Sequence, residues 1–339
     1  MIRVEEVLHS KYLLARDAAG CWPKPEQYDV IAMIPSVLHF RRSELWLLKL
    51  DMPIRSVFSH KFNRSHANRR TFRFVQSIMA APHVLLIGGN GKIARLLTPM
   101  LLKKSWTVTS MIRNADQVSE LQKLGEKQSG KLNVLVRSLE DVATDEVAKE
   151  RIDAVKPDYV VWSAGAGGKG APERTWAVDR DAACRFIRAS VALPYVKKFV
   201  MISFITSRLE KAPWWTDEMW EKEKNTTLKK LERYYRAKVA ADQVLYEESK
   251  KRSDFIAICM RPSLLTEEPV GKVALGRIPT TNGTSSRASV AYLTSLLLEN
   301  PNVKTTWLDM LDGDEEPEAA VKRCVDEGVN CLEGEPYYP

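Results

Sequence analysis

From residue 83 onward the chain alternates between short apolar runs and longer stretches with apolar residues three and four positions apart. His83-Val84-Leu85-Leu86-Ile87 is continuous and carries branched side chains, the pattern of a strand buried on both faces. Ile93, Leu96, Leu97 and Leu101 then recur at helical spacing, and Pro99 predicts a kink in that helix. The alternation continues with strands expected at Thr107 to Ile112, Leu132 to Val136, Asp158 to Ser163, Lys198 to Ser203 and Phe255 to Met260. Helical patterns fill the gaps. Strand and helix in alternation predict an α/β class, a doubly wound parallel sheet of Rossmann type. Ser286 ahead of Val290, Leu293, Leu296 and Leu297 reads as the cap of an amphipathic helix. Thr305 to Leu311 predicts a last strand, and Pro317 opens a last helix.

Three stretches depart from this rhythm. Residues 1–78 show no strand and helix alternation, so the sheet domain is expected over 79–339. No acidic residue lies between Met52 and Ser110, and the stretch from Ser56 to Phe72 is rich in Arg and Ser, as a transit peptide would be. Glu5 and Glu6 argue against that, and Met79 before the first strand also reads as a natural start. An upstream extension that is poorly ordered, a mitochondrial targeting segment and an ordered accessory segment all remain open. The other two departures, near 204–233 and 263–285, look like insertions forming a small substrate lobe. The first holds Trp214, Trp215 and Trp220, which either cover a flat substrate or anchor the insertion. The second offers Gly271 to Gly276 as a loop and short strand over the same pocket.

Charge changes the picture little. Residues 1–78 hold 13 Lys/Arg and 7 Asp/Glu, a balance of +6, which leaves +2 of the formal +8 for the remainder. The basic balance therefore belongs to the N-terminal stretch, and a nucleic-acid partner is not expected. No apolar run reaches about 18 residues, so no membrane span is expected. The five cysteines are scattered without a C-x-x-C pair, which suits a reducing compartment, the cytoplasm, or the mitochondrial matrix if the N-terminus targets there. All five histidines lie at or before His83. Histidine is thus not expected as the acid or base of the main domain, and no metal site is expected there.

The chemistry begins where the first strand runs into Gly88-Gly89-Asn90-Gly91-Lys92-Ile93-Ala94. Strand, glycine turn and helix in that order make a phosphate cradle. Gly88 allows the tight turn, Gly91 lets backbone amides approach a diphosphate, and the helix N-terminus offers its dipole. A dinucleotide is the implied cofactor. Where NAD-selective sites place an acid at the end of the second strand, this chain has Arg113-Asn114. Arg113 could pair with a 2′-phosphate, which favours NADP(H) over NADH. Ser138 and Leu139 follow strand three, where an adenine ring would lie. Ser163, Ala164 and Gly165 follow strand four, in a glycine-rich run to Gly170 that suggests backbone close to a ligand.

Tyr234 and Lys238 are four residues apart at the start of the helix after strand five, hence on one face. An adjacent ammonium is expected to lower the phenol's pKa, and Lys238 could also hold the nicotinamide ribose. Tyr246 and Lys250 share the spacing but fall three turns further on; position favours the first pair.

From about Met79 onward the chain resembles the atypical short-chain dehydrogenase/reductases, in their NAD(P)H-binding, NmrA-like branch, particularly its fungal members. The resemblance rests on GGNGKIA at Gly88, VVWSAGAGGKG from Val160 to Gly170, VDRDAA from Val178 to Ala183 and YYRAKVAAD from Tyr234 to Asp242. MRPSLLTEEP from Met260 to Pro269 and SRASVAYLTSLLLENP from Ser286 to Pro301 complete it. It implies a Rossmann fold, NADP(H) binding and, in many members, reduction of a small molecule. Two departures matter. Ala94 stands at the third glycine position. Ser203, the candidate for orienting a substrate, falls one residue before the strict equivalent, where Phe204 stands. The leading expectation is an NADPH-dependent reductase of a small carbonyl, quinone or flavin, with Tyr234, Lys238 and Ser203 as its catalytic group. A redox-state sensor that binds NADP(H) without turnover and an NAD(P)-dependent epimerase are the alternatives.

Overall fold

The computed structural model describes residues 81–166 and 172–339, all within the compact unit Ala80–Pro339. The N-terminal extension over 1–78 and the glycines Gly167, Gly168 and Gly170 lie outside the described residues.

Eight strands form one sheet. In chain order they are β1 (His83–Ile87), β2 (Thr107–Ile112), β3 (Lys131–Val136), β4 (Tyr159–Trp162), β5 (Lys198–Ile202), β6 (Ile256–Pro262), β8 (Val273–Gly276) and β10 (Thr306–Asp312). Their spatial order is β3-β2-β1-β4-β5-β6-β10-β8. All neighbours are parallel except β8, which runs antiparallel to β10 with Leu275 opposite Met310. The expected strand near Gly271 therefore closes the sheet edge instead of covering a pocket. A separate parallel pair joins β7 (Leu264–Thr266) to β9 (Thr284–Ser286).

The order reverses at β1. The chain steps outward to β2 and β3, then crosses back to β4 on the other side. Ile87 is opposite both Met111 of β2 and Trp162 of β4, so three strands end level. Such a reversal leaves a crevice at the carboxyl edge, because the loops leaving β1 and β4 turn in opposite directions.

The strands form where continuous apolar runs can be covered on both faces. Val84, Leu85, Leu86 and Ile87 are fully buried, each contributing on the order of 1.5–3 kcal/mol of burial. Helix α1 (Lys92–Lys103) packs Ile93, Leu97 and Leu101 onto the sheet and contains Pro99 without ending there. It lies against α8 (Arg287–Glu299), and Lys104 ties the two at Glu299. Ser286 caps α8 as expected, accepting from the amides of Ala288 and Ser289. The opposite layer holds α3 (Asp145–Val155), α5 (Ala183–Ala192) and α7 (Glu232–Ser249). Helix α2 (Val118–Gln122) precedes α3, and the short α4 (Pro172–Thr175) precedes α5, running into it through a π-helical segment, Trp176–Ala182. Helix α9 (Pro317–Asp326) comes last.

The first insertion carries α6 (Asp217–Glu223) and builds a small core of its own from Ile205, Ala212, Trp215, Trp220 and Leu228 with Ile278 of the second insertion. Trp215 Nε1 donates to Ile278 O at 2.8 Å. These two tryptophans are anchors. A ring buried in the lobe core with its N–H satisfied is not available to a substrate.

Candidate functional site

The crevice is built on a glycine turn. Gly88 takes φ +80°, and a Cβ there would lie 2.7 Å from Ala164 Cα. Only glycine fits, because the backbones leaving β1 and β4 touch at this point. A Cβ on Gly89 would lie 2.6 Å from Ser110 Cβ. The amides of Gly88 and Gly89 both donate to Met111 O, and that of Gly91 donates to Gly88 O at 2.8 Å. The glycines shape the turn and spend their own donors within it. The amides of Asn90, Lys92, Ile93 and Ala94 have no partner among the described residues. Gly91 caps α1 without a side-chain bond, so these unpaired donors sit together at the positive end of a helix dipole, as an anion requires. Arg95, held by Glu120, steadies Asn90 through its Oδ1 at 3.0 Å.

Beside the turn lies a cavity of about 190 Å³ reaching from Gly88 and Gly91 past Arg113 and Leu139 to Ser163, Ala164 and Gly165. A bent dinucleotide half would need that shape, with unpaired amides at one end and guanidinium groups at the other. Asn114 and Ser138 also stand here, but each side chain caps its own turn, accepting from Asp116 N and Glu140 N. Across the mouth, Lys92 Nζ meets Glu267 Oε1 at 2.5 Å, and Arg287 binds the same oxygen at 2.9 Å. The first residue of α1 is thereby linked to the loop after β7.

Tyr234 and Lys238 lie one turn apart on α7. The Lys238 ammonium is buried, donates to Ile202 O at 2.7 Å and stands 6.0 Å from the centre of the Tyr234 ring. It is thus pinned at the end of β5. Burial pulls its pKa down, but Tyr234, Asp179 and Asp242 more than offset this and keep it charged. Burial likewise pushes the Tyr234 phenol up, and here Lys238 offsets only part of the rise. The net shift is upward, opposite to the sequence expectation, because desolvation of the phenolate outweighs one nearby cation. At neutral pH Tyr234 is a protonated phenol.

Asp179 was not singled out for chemistry by sequence reasoning. It is fully buried, and its Oδ2 accepts from Ala166 N at 2.9 Å. Its Oδ1 has no partner among the described residues. Burial raises its pKa, and Lys238 is the largest opposing influence. It sits in the π-helical segment, a distortion frequent at functional sites. The signal was present in VDRDAA, but no spacing rule connects Asp179 to a lysine 59 positions later.

The chain matches the model of an NAD(P)H-binding family over residues 88–301. The UPF0659 protein C216.03 of Schizosaccharomyces pombe is 34% identical over 238 residues, covering 68% of this chain and 90% of that protein. This chain belongs to the NAD(P)H-binding family, within the atypical short-chain dehydrogenase/reductases. An uncharacterized sugar epimerase, YhfK of Bacillus subtilis, is 28% identical over 242 residues, 71% of this chain and 99% of that one. Among solved structures, a candidate NAD-dependent epimerase/dehydratase of Bacillus halodurans superposes with a TM-score of 0.57 at 25% identity. It covers 72% of this chain and 100% of its own.

Within this NAD(P)H-binding protein, Ser203 follows β5 and its hydroxyl donates to Asp242 Oδ2 at 2.9 Å in the buried layer, where Arg261 also binds that oxygen at 3.3 Å. The ring beside Tyr234 is that of Phe204, at 5.2 Å between centroids. Tyr246 and Lys250 are a packing pair: Tyr246 is buried against Trp307, Tyr337 and Tyr338.

Proposed function

We propose that this NAD(P)H-binding protein is an NADPH-dependent reductase of a small carbonyl, quinone or flavin-like compound. The carrying observation is the Tyr234 and Lys238 pair: a protonated phenol beside an ammonium sealed from water and tied to the end of β5. The unpaired amides of Asn90, Lys92, Ile93 and Ala94 would hold the diphosphate, and Leu139 and Ala164 would flank the adenine. Arg113 lies at the end of β2 where a 2′-phosphate would reach it, which supports NADP(H) over NAD(H).

A reduced nicotinamide, when bound, supplies a hydride to the electrophilic carbon of the substrate. Tyr234 Oη then gives its proton to the oxygen that gains charge. Lys238 stabilises the phenolate left behind, and solvent restores the proton. Ile202 O holds Lys238 in place, and the charge of Asp179 favours its protonated form. The phenol carries the proton this direction needs, and the alkoxide that receives it is far more basic.

The epimerase reading stays as the second, favoured by the names borne by the Bacillus subtilis and Bacillus halodurans proteins. The test is consumption of NADPH by the purified chain over a panel of aldehydes, ketones, quinones and flavins, with Tyr234→Phe beside it. Stoichiometric oxidation of NADPH that Tyr234→Phe abolishes is the expected result. Tight binding of the dinucleotide with no oxidation by any acceptor would instead favour a redox sensor.

A further inference from the structure

Three guanidinium groups meet at the adenosine end of the cavity. Arg113 comes from the end of β2, Arg137 from the end of β3, and Arg174 from α4. One carboxylate lies among them. Glu140 Oε1 accepts from Arg113 Nη1 at 3.1 Å and from Arg174 Nε at 3.0 Å. A single anionic oxygen thus bridges two cations brought together from sequence positions 61 apart. Arg137 is turned to the backbone oxygen of Val136, 2.9 Å away.

Three positive groups against one negative leave an excess of two charges, which a phosphate dianion would match. The Glu140 side chain is 42% exposed, and those of Arg113 and Arg174 are 57% and 30% exposed. An ion pair this exposed contributes little, so Glu140 can be displaced at small cost. It lies within a serine-capped single turn, Leu139–Asp141, with its side chain partly exposed to solvent.

We propose that Glu140 is a built-in stand-in for a ligand phosphate. It holds Arg113 and Arg174 together in the empty crevice, gives way to the 2′-phosphate of NADP(H), and by competing for those cations sets how strongly that cofactor is preferred. The inference rests on the NADP(H) reading above and adds Arg174 and Glu140 as its specificity-determining residues. Arg174 completes a two-cation clamp that Arg113 alone cannot form. Glu140 keeps affinity for the phosphorylated nucleotide below what the clamp could give, because the phosphate must first displace a like charge.

The test is equilibrium titration of the full chain with NADPH, NADH, adenosine 2′,5′-bisphosphate and 5′-AMP at fixed ionic strength, in wild type, Glu140→Gln and Arg174→Gln. Glu140→Gln is expected to tighten NADPH and the bisphosphate by roughly tenfold while NADH and 5′-AMP move less than about twofold. Arg174→Gln is expected to weaken only the two 2′-phosphorylated ligands, again by roughly tenfold. Both side chains are on the surface and break no core packing, and thermal melting of each variant checks this. If Glu140→Gln leaves the NADPH to NADH ratio unchanged, or weakens NADH alone, Glu140 is no stand-in and the inference fails while dinucleotide binding survives. If wild type binds neither dinucleotide, the functional reading falls and takes the inference with it.

Discussion

The two halves of the sheet solve opposite problems. Around β1, β2 and β4 the buried strands carry no charged side chain, and the charge is at the carboxyl edge, where four amides lack partners among the described residues and arginines face a cavity. Around β5, β6 and β10 the charge is inside. Lys238, Asp242, Arg261, Asp309, Arg208 and Glu335 are all buried. Arg261 and Asp309 are direct neighbours across β6 and β10. Arg208 donates to the carbonyls of Cys331 and Glu333 and lies 3.6 Å from Glu335. The first half keeps its electrostatics open to receive a charged ligand. The second seals them, which fixes a lysine beside a phenol but carries a large desolvation cost. A cradle can be built from backbone alone; a proton donor needs side chains that surrounding charges hold in one protonation state.

The sharpest way to break this contrast is Tyr234→Phe. It should lower kcat on the order of 10³-fold and leave the NADPH dissociation constant within about twofold, since the cradle belongs to the other half. Steady-state rates together with a binding titration measure both. Next is Gly88→Val. The φ of +80° and the 2.7 Å approach to Ala164 Cα should cost roughly 3 kcal/mol or more of stability and remove NADPH binding, as denaturant unfolding and titration would show.

Asp309 probes the sealed half. Burial pushes its carboxyl up to about 6 from 3.8, against the pull of Arg261 and Arg208. A raised folded-state pKa favours the folded state while the proton is held. Its contribution is complete below the unfolded value near 3.8 and is lost as pH rises through about 6. The difference of about two units corresponds to about 3 kcal/mol. Asp309→Asn should flatten the fall in stability between those two pH values, and urea unfolding at several pH values reads this directly. The smallest effect belongs to Ser203→Ala. Losing its bond to Asp242 should cost about 1 kcal/mol of stability and change kcat less than about threefold; a hundredfold loss of kcat would instead place Ser203 at the substrate.

The open half was largely legible in the sequence for a physical reason. Its strands are short runs rich in apolar and branched residues, and its site is a local motif of seven residues from Gly88 to Ala94, so pattern and chemistry coincide. Even the spans of β1 and β2 match what the run of residues predicts. The sealed half was legible only where two residues share a helix face, as Tyr234 and Lys238 do. Asp179, Asp242 and Glu335 act across the fold, and nothing in a linear pattern shows that burial will outweigh a neighbouring ammonium at Tyr234. Glu140 escaped for the same reason: its partners lie 27 positions before it and 34 after it. The strand at Gly271 to Gly276 was recognised as a strand but misplaced, because its partner β10 is read only from the sheet. Trp215 and Trp220 turned out to be anchors because their insertion carries its own core.

The account depends most on where a dinucleotide would sit. A crystal structure of the full chain grown with NADPH tests this directly. The diphosphate is predicted on the amides of Asn90, Lys92 and Ile93, with the 2′-phosphate between Arg113 and Arg174. A dinucleotide bound away from the β1 turn, or a diphosphate with no contact to those amides, would contradict it.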